Sequence, residues 1–383
     1  MSHSPTNRNE LIDLVRQWHQ DAIPWIPSGQ GDHLSWGPPL NPDHAVLSCR
    51  ALNRVIDHAV DDLTISVEAG MALDHLQDLL AAQNQWLPVD RPRDGLPGTV
   101  GGLVARGMAG GLRHRHLGIR DQIIGIGLLR TDGVEAHAGG RVVKNVAGYD
   151  LMRLLCGSWG SLALITELTL RVQPIKPDHR VLVVSGALLD QERFRADLMR
   201  SGLTPDRCDW QSRKDKSWYL RLRISSITDQ AVNDQVLTLK GLANRHRLDV
   251  AEMTDIEPLD TGLPCENPTW LVRLAIPPSK LHHLIQSSAL HSLQDWQWDL
   301  GAGSGCGDGW SASASEAHQL LALRHELTRL GGTLTILKQP AQAGLPAWLD
   351  APSRALILAV KRQFDPRQQL CRGRLPGVNQ PTL

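Results

Sequence analysis

Through the first 172 residues, the spacing of apolar residues alternates between the period of a helix and the period of a strand. Leu11, Leu14, Val15 and Trp18 recur at helical spacing, so we predict a first helix from about Asn9 to Gln20, with Thr6 as a possible cap. Shorter patterns predict an extended piece at 23–27, strands at 45–49 and 63–67, and a helix that follows Gly70. Helices and strands therefore alternate from the start of the chain.

The segment 164–172 has the clearest strand pattern in the sequence. Its apolar and polar side chains alternate at a period of two, and Pro174 and Pro177 then end the pattern. We therefore expect a domain boundary near residue 176. The expected division is 1–176 as a first domain, 177–350 as a second, and 351–383 as a separate C-terminal segment.

The second half of the chain also mixes both periods. Strand-like segments at 181–184, 218–224, 270–276, 296–300 and 333–337 are separated by helical stretches near 191–199, 228–246, 279–288 and 315–330. These patterns are compatible with either an α/β or an α+β fold class for this domain. For the whole chain we predict an α+β protein.

Composition limits the classes of partner. The 40 basic residues balance 40 acidic ones, which argues against nucleic acid or an anionic membrane surface as a partner. No apolar run approaches the roughly 20 residues of a membrane span, so we expect a cytoplasmic protein without a span, membrane-associated at most through partners. The six cysteines form no CxxC pair and the histidines lack carboxylates at ligand spacing, so we predict neither an iron–sulfur cluster nor a metal site.

Two glycine-rich loops are candidates for holding a phosphate. The first is Ser28 to Asp32, and the second is Gly98 to Gly102, which runs into a helix-compatible stretch. Glycine lets a backbone approach a phosphate closely, and amides at a helix start favour negative charge. Each loop taken alone is better explained as an ordinary turn.

Three further segments have a chemically suggestive pattern. Gly139 to Asp150 sets Lys144 between glycines, with Asp150 placed to cap a helix at 151–155, and Gly157 to Ser161 is a turn whose main chain could hold an adenine edge. A solvated loop and a plain helix-to-strand turn remain the alternatives. Gly301 to Gly309 follows a strand, but its every-other-residue glycines do not match GxGxxG, so we interpret it as a flexible strand or loop.

Taken in order, these pieces resemble the FAD-binding fold of the p-cresol methylhydroxylase (PCMH) and vanillyl-alcohol oxidase type. The pieces are Ser28 to Asp32, 63–70, Gly98 to Gly102, Arg120-Asp121, 157–166 and Phe364-Asp365-Pro366. Within that superfamily, Gly139 to Asp150 looks like the FAD-binding E subunits of bacterial glycolate oxidases. Relatives often end in Asn-Pro-Gly-Arg, whereas this chain has Cys371-Arg372-Gly373-Arg374.

The resemblance implies a non-covalently bound FAD, because the loop that carries an attachment histidine in some relatives has Gln30 and Asp32 here, with His33 just beyond. It also implies two subdomains within the first domain, a smaller α/β domain after it, and a C-terminal segment, 351–383, that returns to the first domain. We assign no catalytic residue, because spacing alone places no histidine, tyrosine or arginine at a substrate. The cofactor-binding residues that it implies are Ser28, Gly29, Gln30, Gly31, Asp32, Pro97, Gly98, Thr99, Val100, Gly101, Gly102, Gly107, Lys144, Asn145, Gly148, Tyr149, Asp150, Gly157, Gly160, Ile165 and Arg374.

The resemblance also implies a function and leaves alternatives. The first hypothesis is an FAD-binding subunit of a complex that oxidises glycolate, or a similar small 2-hydroxy acid, to the 2-oxo acid. Its partners would be a second flavoprotein and an iron–sulfur subunit. The alternatives are an accessory FAD electron-transfer subunit without its own substrate site, and a stand-alone alcohol or sugar oxidase of the same fold.

Overall fold

A computed structural model describes residues 2–92, 94–140, 150–212, 216–253, 268–313 and 316–379. The helices are α1 (Arg8–Gln20), α2 (Leu73–Ala81), α3 (Val100–Arg106), α4 (Arg113–His116), α5 (Ile119–Gln122), α6 (Leu151–Leu155), α7 (Leu188–Arg200), α8 (Asp229–Arg245), α9 (Leu281–Ile285), α10 (Ser288–His291), α11 (Ala317–Arg329) and α12 (Arg354–Phe364), with a 3₁₀ turn at Pro278–Lys280. The strands are β1 (Ser2–His3), β2 (Trp25–Ser28), β3 (Ala45–Ser48), β4 (Val55–Ala59), β5 (Thr64–Glu68), β6 (Gln85–Trp86), β7 (Ile123–Leu129), β8 (Glu135–Gly139), β9 (Leu164–Arg171), β10 (Gln173–Pro174), β11 (Asp178–Ser185), β12 (Arg207–Ser212), β13 (Trp218–Ser226), β14 (Asp249–Met253), β15 (Trp270–Ala275), β16 (Gln297–Gly301), β17 (Cys306–Ser311) and β18 (Thr333–Lys338).

Two sheets of the first lobe meet at the candidate glycine loops, and a further short sheet pairs β6 with β10. A small parallel sheet has the order β1-β3-β2, and an antiparallel sheet has the order β4-β5-β9-β7-β8. Helix α1 packs Leu11, Val15 and Trp18 against the small sheet. Its N-cap is Asn7, whose side chain accepts the Glu10 amide, so the expectation of Thr6 was wrong. Thr6 instead donates to the Glu10 carboxylate.

The second lobe is built on an eight-stranded sheet whose two faces differ. The strand order is β14-β11-β13-β12-β16-β17-β15-β18, and neighbouring strands of the described residues pair antiparallel. Of the two alternatives for this lobe, the antiparallel sheet agrees with α+β. One face is apolar and packs against the lobe's helices. The other carries polar residues such as Arg207, Asp209, Asp299 and Asp308, and it faces the first lobe, since Arg207 pairs with Asp90.

The C-terminal segment packs against the first lobe. Helix α12 buries Lys361, whose ammonium donates to the Asp365 carboxylate (2.6 Å) and to the Ser161 and Leu370 carbonyls (2.7 and 2.8 Å). Leu370 then forms a parallel bridge with Trp25 of β2. The residues after α12 therefore end beside the first glycine loop.

Among the described helices, none combines the length and the apolar character that crossing a membrane requires. The boundary predicted near residue 176 falls between β10 and β11, and the division into 1–176, 177–350 and 351–383 stays a prediction.

Candidate cofactor site

A cleft opens in the first lobe, where both glycine loops come together. The cleft is lined by Ile26, Pro27, Ser28, Gly29, Gln30, Gly31, Asp32, His33, Leu34, Cys49, Ala69, Gly98, Thr99, Gly101, Gly102, Ala105, Arg106, Trp159, Gly160, Ala163, Leu164, Ile165 and Arg374.

The first glycine loop leaves strand β2 and is fixed by its neighbours. The Ser48 hydroxyl donates to the Gly29 carbonyl (2.9 Å), and the Cys49 amide donates to the Ser28 carbonyl (2.8 Å). At the far end, Asp32 Oδ2 accepts the Gly98 amide at 3.1 Å. This last bond joins the two loops, so the backbone of both faces the same space.

The second loop starts helix α3. Thr99 is the N-cap and its hydroxyl accepts the Gly102 amide at 3.2 Å, while the Gly101 amide donates to the Ala69 carbonyl. A Cβ on Gly101 would lie 2.8 Å from that carbonyl oxygen, so only glycine permits this close approach of helix and strand. Gly98 has a φ of +64°, which also favours glycine.

The remaining walls come from distant parts of the chain. Gly160 and Ile165 line the cleft at the start of β9, which agrees with the position expected for an adenine-binding backbone. From the C terminus, the buried Arg374 donates to the Leu34 and Trp36 carbonyls, and its guanidinium lies 5.7 Å from the centroid of Trp159. Arg374 therefore reaches the site despite the altered motif around it.

The other predicted site residues lie elsewhere or outside the described residues. Val100 is fully buried in the core, Pro97 does not line the cleft, and Asp150 caps α6 by accepting the Arg153 amide. Gly107 ends α3, and the Gly157 amide donates to the Val104 carbonyl of that helix, so these two glycines pack at its C-terminal end. Lys144, Asn145, Gly148 and Tyr149 fall outside the described residues.

Sequence reasoning missed a charged group at one end of the cleft. His33 Nε2 lies 3.0 Å from Asp94 Oδ1, and Lys338 Nζ of the second lobe lies 3.4 Å from Asp94 Oδ2. Burial lowers the pKa of His33, and the charge of Arg106 lowers it further, although Asp94 acts in the opposite direction. We therefore expect His33 to be neutral at pH 7.

Arg106 is the second residue that was missed. Its guanidinium lies 5.2 Å from the centroid of Trp36, and its Nε and Nη2 are buried without a hydrogen-bond partner among the described residues. Burial lowers its pKa to about 10, so the group stays charged at pH 7. The spacing from Gly102 to Arg106 is i to i+4 on one helix, and that spacing could have placed it beside the loop.

Comparison with known proteins identifies the class of this lobe. Residues 3–139 match the family model described as FAD binding domain. The chain is 33% identical over 164 residues to Glycolate oxidase subunit GlcE of Escherichia coli (strain K12), which covers 43% of this chain and 46% of that protein. It is 31% identical over 208 residues to D-lactate dehydrogenase [cytochrome], mitochondrial, of Arabidopsis thaliana (54% and 36%), and 30% identical over 178 residues to Glycolate oxidase subunit GlcD of Bacillus subtilis (strain 168) (46% and 37%).

A solved structure extends the likeness to the whole fold. An alkyldihydroxyacetonephosphate synthase superposes with a TM-score of 0.70, covering 96% of this chain and 75% of that chain at 13% sequence identity. The chain spans less than half of each of the three sequence relatives named above. Their names therefore describe those proteins and not this one.

The first lobe is an FAD-binding domain of the PCMH type, as the sequence predicted, and FAD is its cofactor. The cleft fits that group: the backbone of the first glycine loop lines it, the start of helix α3 lies beside that loop, and two buried guanidinium nitrogens without a partner among the described residues lie next to them. These features suit a diphosphate. The thiol of Cys49, which also lines the cleft, stays protonated because burial raises its pKa to about 12.

Proposed function

We propose that this chain is the FAD-binding subunit of an enzyme complex that oxidises a small 2-hydroxy acid, with glycolate as the first candidate substrate. The observation that carries the proposal is the cleft in which both glycine loops, Ile165 and Arg374 converge. The names of the sequence relatives, glycolate oxidase subunits and a D-lactate dehydrogenase, support the class of substrate.

The role of this chain's own residues is to hold and orient the cofactor. FAD, when bound, supplies the acceptor for the hydride that leaves a 2-hydroxy acid. The backbone of Ser28 to Gly31 would hold the diphosphate, with the start of helix α3 beside it, and the backbone around Ile165 would hold the adenine. Arg374 fixes the chain between Leu34 and Trp36 and so keeps one end of the cleft in shape.

We propose that the cofactor is bound without a covalent link. The thiol of Cys49 is protonated, and His33 is engaged by Asp94 through Nε2. Precipitating the purified yellow protein with acid should release the flavin into the supernatant. Flavin that stays in the pellet would show a covalent bond and contradict this part of the proposal.

The second candidate is an accessory electron-transfer subunit, and the ion pairs on the polar face of the eight-stranded sheet favour it. Arg273 binds Asp308 through two hydrogen bonds of 2.8 and 2.7 Å, and Arg207 donates to Asp209 at 2.8 Å. These cations already have carboxylate partners, so the carboxylate of a substrate would have to displace one. Under this candidate, substrate would be oxidised on a second flavoprotein, with an iron–sulfur subunit as the third member of a cytoplasmic complex.

Anaerobic reduction separates the two candidates. The purified chain, loaded with FAD, is mixed with glycolate, first alone and then with the proposed partner subunits, while the visible flavin absorbance is followed. Bleaching of the chain alone supports direct oxidation, and bleaching only with partners supports the accessory role. Flavin that stays oxidised with glycolate and with D-lactate in both mixtures would contradict the proposed substrate class.

A further inference from the structure

Two of the three guanidinium nitrogens of Arg106 are buried, and the described residues leave the hydrogen-bonding capacity of these two unused. The two nitrogens are Nε and Nη2, and one face of the guanidinium lies against Trp36. A cation that has lost its water and gained no acceptor is strongly unfavourable. A ligand that brings negative charge and acceptor oxygens to this point would remove that penalty.

The position of Arg106 locates the ligand atoms that it can reach. Its Nη2 lies 3.4 Å from the place that a Cβ on Gly98 would occupy, and its terminal nitrogens lie 3.6 and 3.7 Å from the corresponding place on Gly102. Side chains on a helix point towards its N terminus, so Arg106 reaches back from the last turn of α3 to the first. The charge therefore lies at the second glycine loop.

The carboxylates of Asp94 and Asp32 act to raise the pKa of Arg106, but neither accepts a hydrogen bond from its Nε or Nη2. Asp94 is shared by His33 and Lys338, and Asp32 accepts the Gly98 amide. Arg273 and Arg374 add positive charge nearby, which together with burial lowers the pKa of Arg106. Binding of an anion beside Arg106 is therefore electrostatically favourable.

Neither glycine loop contains a lysine or an arginine of its own. In the second loop the amides of Gly98, Gly101 and Gly102 already have acceptors within the fold. A guanidinium beside that loop supplies the planar donor pair that the oxygens of a dinucleotide's diphosphate accept. We propose that Arg106 binds the diphosphate of FAD and supplies its counter-charge. The inference rests on the FAD-binding role of the lobe and is independent of which acid is oxidised.

The test compares Arg106→Met, Arg106→Lys and the exposed control Arg115→Met in the full chain. Dissociation constants are measured on protein freed of flavin, for FAD and for ADP, which carries the diphosphate without the flavin. Losing a charged hydrogen bond should weaken both ligands about 10- to 100-fold in Arg106→Met. Arg106→Lys should recover part of that loss, and Arg115→Met should bind as the unmodified chain does.

Thermal unfolding without FAD separates a ligand role from a structural one. Arg106→Met without FAD should unfold at the same temperature as the unmodified chain or higher, because a buried unpaired charge has been removed. Added FAD should then raise its unfolding temperature less than it raises that of the unmodified chain.

Two results would overturn the proposal. In one, both dissociation constants are unchanged in Arg106→Met, with or without a fall in the unfolding temperature of the flavin-free protein. In the other, FAD affinity is retained while the KM for glycolate rises in the complete complex, which would assign Arg106 to a substrate carboxylate. If the unmodified chain did not bind FAD, the FAD-binding role itself would be contradicted. Failure of the Arg106 proposal and failure of the FAD-binding role are therefore distinguishable.

Discussion

At the scale of single residues, Gly98 and Gly95 share a positive φ but differ in what surrounds them. Gly98 has a φ of +64° and Gly95 has a φ of +74°. A Cβ on Gly98 would lie 3.1 Å from the imidazole of His33, whereas a Cβ on Gly95 would meet nothing within 4 Å. A comparison of alanine substitutions at these two glycines therefore separates the effect of backbone strain from the effect of contacts with neighbouring side chains.

We predict that Gly98→Ala weakens FAD binding at least tenfold and that Gly95→Ala leaves it within about twofold. Both changes should lower the free energy of unfolding by about 1–2 kcal/mol, because an L-residue is strained in the left-handed region. Only Gly98→Ala also displaces His33 and Arg106 from the loop. FAD titration and urea unfolding of both variants check this, and equal FAD affinities would contradict it.

The glycine loops could be predicted at this scale, but the charges beside them could not. Clusters of glycine in the sequence mark loops whose backbone can adopt unusual conformations. Gly29, Gly98 and Gly101 could therefore be named as site residues from the sequence. Arg106 and Asp94 belong to no motif, and only folding shows that one lacks a partner and the other bridges His33 and Lys338.

At the scale of elements, helix α12 and the loop after it are held to the first lobe by one buried ammonium. Lys361 and Asp365 are almost entirely shielded from water, and the Asp365 carboxylate also accepts the Gln369 and Leu370 amides. These bonds explain the Phe364-Asp365-Pro366 motif: Asp365 turns the chain from the end of α12 towards β2.

We predict that Lys361→Met lowers the free energy of unfolding by about 3–5 kcal/mol, since it leaves a buried carboxylate without its cation. The double variant Lys361→Met with Asp365→Asn should lose less free energy of unfolding than the sum of the losses in the two single variants. Urea unfolding of the three variants measures this coupling. Strict additivity would show that the two side chains do not interact.

Elements with clear periodicity were predicted well, and elements with mixed composition were missed. Strand β9 shows a period of two and was found, whereas β12 carries charged residues on the face that meets the first lobe and was not. The glycines near Gly309 do not make a flexible loop throughout, because β17 pairs with β16 and Trp298 packs over Gly309. Such packing depends on a residue elsewhere in the chain, which a local pattern does not contain.

At the scale of the whole molecule, a buried acid joins the two lobes. Asp206 of the second lobe lies 3.1 Å from His116 Nε2 in the first lobe and 3.0 Å from Lys176 Nζ, which follows β10. Burial alone would raise the pKa of Asp206, but hydrogen bonds from His116 and Lys176 outweigh it and hold the pKa at about 2. The ionised form is therefore favoured by folding.

We predict that this contact stabilises the fold above about pH 4 and that the stabilisation is lost as the pH falls towards 2. The carboxyl must be ionised to contribute, and the pKa shift corresponds to about 2 kcal/mol. Asp206→Asn should lose about that much at pH 7, and the difference should shrink below pH 4. The exposed ion-pair variant Asp229→Asn should change stability by less than about 1 kcal/mol. A difference between Asp206→Asn and the unmodified chain that is the same at pH 7 and pH 3 would contradict the assignment.

The central claim at this scale is that the cleft of the first lobe holds one FAD. The most direct measurement is a titration of the flavin-free full chain with FAD, followed by flavin fluorescence, in parallel with Gly98→Ala. We predict saturation at one FAD per chain and a clearly weaker curve for Gly98→Ala, because both glycine loops line the cleft. No saturable binding, or identical curves for the two proteins, would contradict the account.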